Sequence, residues 1–98
     1  MKVYTTKTKT GRNLLESANY NKGYYLSDVY GSYSSKKAEA WKECESRCAG
    51  ENGKNFRIFS SCINFFCVAW EFEYEGALAT HIITPSRDIV VVREEVSE

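Results

Sequence analysis

Hydrophobic positions along the chain change their period near residue 54. Between Ser35 and Ala49, Ala38, Trp41, Cys44 and Cys48 fall at i, i+3, i+6 and i+10, one apolar helical stripe. Lys36, Lys37, Glu39, Lys42, Glu43, Glu45, Ser46 and Arg47 cover the remainder. Ser34 or Ser35 supplies a capping hydroxyl, and Gly50 with Glu51-Asn52-Gly53 provides residues that tolerate a positive φ at the end. Beyond that point the pattern alternates. Residues 55–60 read as a short strand, and 64–74 as the strongest one, with Phe66, Val68, Trp70, Phe72 and Tyr74 on one face. Phe65, Cys67, Ala69, Glu71, Glu73 and Glu75 take the opposite face. Gly76 marks a hairpin, 77–84 returns, Pro85-Ser86-Arg87-Asp88 turns again, and Ile89 to Arg93 closes the set.

The N-terminal half is less regular. Residues 1–10 read as a short edge strand or an arm, and Gly11 to Asn19 as a short helix carrying Leu14, Leu15 and Ala18. Asn19 to Gly23 has turn composition. Tyr24 to Tyr33 spaces Leu26, Val29, Tyr30 and Tyr33 as a helix would, with a strand as the competing reading. Residues 94–98 read as a frayed acidic tail. The expectation is one domain over residues 1–98. Its fold class is α+β, with two or three N-terminal helices packed on a four-stranded antiparallel meander. The Ser35–Ala49 helix is expected to cover the large apolar face in a two-layer arrangement, with Trp41 against Trp70.

Composition agrees with a folded domain: 43% of the 98 residues are hydrophobic, 14% aromatic and 27% charged. Thirteen basic and thirteen acidic side chains cancel, so no net field favours nucleic acid or membrane. No uncharged run is long and apolar enough to span a bilayer. Met1 to Arg12 has no apolar core of the kind a secretory signal carries, so the expected compartment is the cytoplasm and the cysteines are expected as thiols.

Five stretches carry a likeness. Leu26-Ser27-Asp28-Val29-Tyr30, Tyr33-Ser34-Ser35-Lys36-Lys37 and Ala40-Trp41-Lys42-Glu43-Cys44, with Phe56-Arg57-Ile58 and Phe66-Cys67-Val68-Ala69-Trp70, resemble a group of short phage and mobile-element proteins of unassigned function. The likeness runs from about Asn13 to Thr84. Where those proteins carry a Ser-His-Asn-Thr turn, this chain has Ser61-Cys62-Ile63-Asn64. The resemblance implies a phage-related origin and no reaction.

Candidate chemistry is sparse. Cys44, Cys48, Cys62 and Cys67 lack the tight Cys-x2-Cys knuckle of a zinc site, and Cys44 and Cys48 belong to the apolar stripe. No metal and no cofactor is expected. A three-residue loop Tyr74-Glu75-Gly76 would put Cys67, Glu71 and His81 on one face as nucleophile, orienter and base; a loop one residue shorter would put His81 on the other. Glu71, Glu73 and Glu75 at period two form an acidic row able to grip a basic partner, or simply to keep the sheet from pairing. Tyr24, Tyr25, Tyr30 and Tyr33 are candidates for an interface, since tyrosine buries much area with few rotors.

Charge is also uneven. Residues 1–43 hold eight basic and four acidic side chains, and 44–98 hold five and nine. The Lys7, Lys9, Arg12 cluster with Tyr4 suits phosphates, but no nucleic-acid signature accompanies it. The functional expectation is a non-enzymatic phage or mobile-element accessory protein, monomer or homodimer, that binds a host macromolecule. A host protein is favoured over nucleic acid, and no membrane is expected. One form is inhibition of a host nucleic-acid-handling defence protein (anti-CRISPR-like). The alternatives are a nucleic-acid-binding module using the basic half, and a zinc- or Cys-dependent small enzyme.

Overall fold

The computed structural model describes residues 1–19, 35–61, 66–84 and 87–94. The expected Tyr24–Tyr33 element, Cys62 and the last four residues lie outside these, as does the packing of the Trp41 indole. The elements are β1 (Lys2–Thr5), α1 (Lys9–Asn19), α2 (Ser35–Gly50), β2 (Lys54–Ser61), β3 (Phe66–Tyr74), β4 (Ala77–Ile83) and β5 (Asp88–Val92). They build an α+β domain whose five-stranded sheet has the order β1-β5-β4-β3-β2. β2 to β5 form the expected antiparallel meander. β1 adds a fifth strand parallel to β5, pairing Lys2 with Ile89 and Thr5 with Val92, so the sheet is mixed. Among the described residues no helix is long and apolar enough to cross a membrane.

The helices lie on opposite faces rather than in one layer. Cys44 and Cys48 of α2 pack with Ile58, Val68 and Trp70, joined by Phe56, Phe72 and Ile83. Ala18 of α1 packs with Ala69, Ile82, Ile89 and Val91, joined by Tyr4, Leu14 and Leu15. The Ile89-Val90-Val91 run is buried at every position, which requires cover on both faces. The face carrying Cys67 and Ala69 is therefore core along half of β3, not a solvated one.

Local chemistry sets the helix ends. Thr8 caps α1: its Oγ1 accepts the Gly11 N–H at 3.0 Å and donates to the Thr5 carbonyl at 3.1 Å. A Cβ on Gly11 would lie 2.0 Å from the Thr5 oxygen, so that approach needs glycine. α2 ends where Gly53 donates to the Cys48 carbonyl at 2.7 Å, with Asn52 left-handed at φ 56°. Of the four residues expected to tolerate a positive φ there, Asn52 takes it. The β3–β4 turn is Glu75-Gly76 with φ of 50° and 85°, the two positive values of the hairpin turn whose twist matches a sheet.

Gly53 sits directly under the central tryptophan: a Cβ there would meet Trp70 Cδ1 and Cys48 Sγ, each at 2.5 Å. Gly53→Ala is expected to destabilise the domain by about 1–3 kcal/mol through overpacking, read as a lowered urea midpoint at unchanged slope.

Candidate functional site

The two-residue turn decides where the titratable groups go. It pairs Tyr74 with Ala77 and, four steps on, Trp70 with His81. His81 thereby faces α2 with Trp70, and the Cys67–His81–Glu71 constellation does not form. Cys67 and Glu71 point to the α1 side, because side chains alternate along β3.

His81 is fully buried. Its ring lies 4.6 Å from that of Trp70 and 5.5 Å from that of Phe72. Nδ1 meets Glu51 Oε1 at 2.8 Å and Oε2 at 3.1 Å, and Nε2 meets Asp88 Oδ1. Ionised carboxylates only accept, so both contacts are satisfied together when both ring nitrogens carry hydrogen. Trp70 Nε1 donates to the same Glu51 Oε1 at 2.8 Å, and Arg47 donates to Asp88 Oδ2 at 2.8 Å. Arg47 also stands 3.5 Å from His81 Nε2, a proximity that follows from its shorter bond to Asp88. Burial raises the Asp88 carboxyl, but hydrogen bonds from His81 and Arg47 and their charges outweigh it and hold the group below the ordinary aspartate value. The cluster joins α2, the turn after it, β4 and β5. The imidazole itself is 0% exposed, while the Glu51 and Asp88 side chains are 29% and 36% exposed.

The acidic row is divided. Glu71 is half-buried and forms an ion pair with Arg57, whose side chain is 5% exposed. Arg57 also donates through Nε to the Ala18 carbonyl at 2.9 Å, through Nη1 to the Asn55 carbonyl at 2.9 Å and through Nη2 to Asn19 Oδ1 at 2.9 Å. Glu73 is exposed on the strand, and Glu75 belongs to the turn. Three solvated carboxylates in a line are therefore not present. Tyr24, Tyr25, Tyr30 and Tyr33 lie outside the described residues.

The described cysteines do not converge either. Cys44 and Cys48 are on one side of the sheet and Cys67 on the other, all three as buried thiols. Burial pushes the Cys44 and Cys48 thiols up, away from the reactive thiolate.

Among the described residues there is an open 810 Å³ groove lined by Glu51, Lys54, Glu71, Glu73, Leu78 and Arg93, among others. Leu78 is 50% exposed and stands directly opposite Glu73 on β3. Arg93, whose N–H donates to the Leu78 carbonyl at 2.9 Å, flanks it on the other side. In the sequence Leu78 lies between Ala77 and Ala79 and gives no signal of this groove; only the register sets Glu73 and Arg93 beside it.

Two outcomes check this geometry. The Asp88 contribution is complete above about pH 4, the ordinary aspartate value, and is lost as the pH falls below it. Wild-type stability to urea is expected to drop across that window, while Asp88→Asn starts lower at neutral pH and falls less steeply. Second, Glu71→Lys is expected to cost about 3–5 kcal/mol, because buried Arg57 would face a cation, whereas Glu73→Lys stays within about 0.5 kcal/mol in the same denaturation assay.

No protein-family model matches the chain, and no curated protein or solved structure matches it.

Proposed function

We propose that the chain is a non-enzymatic accessory protein of a phage or mobile element, working in the host cytoplasm by binding a host protein. The observation that carries this reading is the open groove, where an exposed leucine is flanked by a carboxylate and a guanidinium. Apolar contact supplies affinity there, and the flanking charges set orientation and partner choice. The non-enzymatic part is supported by His81, which both carboxylates hold inside the molecule, and by the Cys44 and Cys48 thiols, which burial pushes away from the thiolate. Inhibition of a host nucleic-acid-handling defence protein is the specific form we propose, on the resemblance to short phage proteins.

Glu71 is held by Arg57 within the fold, so the test uses positions outside that pair. The appropriate variant is Glu73→Lys with Leu78→Ser, both at exposed positions. Affinity capture from a bacterial lysate is expected to recover a discrete partner with the wild type and at least about tenfold less with the double variant, a loss of about 1.4 kcal/mol or more. Equal recovery would move the interface off the groove. Recovery of no partner from host lysates would contradict the binding reading.

A further inference from the structure

The edge of the sheet opposite the groove gathers cations from three separate parts of the chain. Lys2 lies on β1, Lys7, Lys9 and Arg12 on the turn and first helical turn that follow, and Arg87 comes from the β4–β5 connection; all five are exposed. Tyr4 organises two of them. Arg87 Nη2 donates to the Tyr4 hydroxyl at 3.1 Å, and Lys2 Nζ stands 5.3 Å from the ring centroid. Hydrogen bonding by Lys2, against burial, and the charges of Lys2 and Arg87 hold the Tyr4 phenol below its ordinary value, a sign of local positive potential. At the other end, Arg12 Nη1 donates to the Thr6 and Lys7 carbonyls at 3.1 and 3.0 Å, which fixes its guanidinium in place. Lys7 is paired with Glu94 at 2.9 Å. None of the other four makes an ion pair with a described carboxylate.

The strand from Lys2 to Thr5 covers about 10 Å and runs through a turn into α1. We infer that the outer edge of β1, with Lys2, Lys9, Arg12 and Arg87, is a track for the phosphate backbone of single-stranded nucleic acid. Lys2 and Arg87 meet at Tyr4, and Lys9 and Arg12 begin the helix that follows β1; guanidiniums already held by carbonyl and phenol oxygens lose little freedom on meeting a phosphate. An anionic membrane is the competing polyanion. It calls for an apolar helical face turned to the lipid, and Leu14 and Leu15 of α1 pack on the sheet instead. Sequence alone placed Lys7, Lys9 and Arg12 together; the fold brings in Arg87.

The test is fluorescence anisotropy with a labelled oligothymidylate and with vesicles of mixed phosphatidylserine and phosphatidylcholine, using the full chain. Four phosphate contacts predict about 50-fold weaker oligonucleotide binding at 200 mM than at 50 mM salt. The Lys2→Gln, Arg87→Gln variant is expected to bind more weakly at 50 mM and to lose only about sevenfold over that salt range. Both positions are exposed, and an unchanged thermal melt confirms the variant's fold. Absence of oligonucleotide binding at 50 mM salt, a salt slope that the variant leaves unchanged, or vesicle binding in its place would each overturn the inference.

Discussion

The register between β3 and β4 is the constraint on which the remaining structure depends. Glu75 and Gly76 both take positive φ, and this closes the hairpin in two residues rather than three. A shift of one residue would turn every side chain of β4 to the other face of the sheet. Ile82, now against Ala18 and Ala69, would move to the α2 side, and His81 would leave Glu51 and Asp88. The turn also explains why an acid–base triad that is formally present in the sequence does not assemble.

With that register, each face of the sheet has one buried polar anchor, and each anchor holds the end of a helix. On the α1 side Arg57 donates to the carbonyl of Ala18 and the side chain of Asn19, the last residues of α1. A cation there also complements the negative end of the helix dipole. On the α2 side His81 reaches Glu51, just beyond the helix, and Arg47 in its last turn reaches Asp88. Small side chains at the contacts, Ala18 with Ala69 on one face and Cys48 with Gly53 on the other, let the helices sit close to the strands. The Arg57 anchor is costly to break because loss of Glu71 leaves a buried guanidinium without its carboxylate. The two anchors tie His81, Glu71 and Asp88 into contacts within the fold.

Much of the fold was legible because strong periodicity carries it. The α2 stripe, β3, the hairpin glycine and the meander order follow from apolar spacing. The parallel β1 was not legible, since four residues with one exposed valine carry almost no pattern and the pairing is long-range. Nor was the placement of α1: alternation shows that Ala69 opposes Trp70, but not that a second helix covers it. The contiguous apolar Ile89 to Val92 was the available signal. At the candidate site the failures are of register and partner. Glu71 looks solvated until Arg57 is brought opposite its neighbour by a bulge at Asn55, which takes φ 58°. His81 looks like an isolated surface residue until Glu51 and Asp88, thirty and seven residues away in sequence, close on its two nitrogens.

A direct test of this account is the nuclear Overhauser pattern of the His81 ring in the folded protein. The two-residue turn predicts cross-peaks from the His81 ring protons to the Trp70 indole, across centroids 4.6 Å apart, and to Phe72. Cross-peaks from that ring to Cys67 and Ala69 in their place would show the three-residue loop and contradict the register.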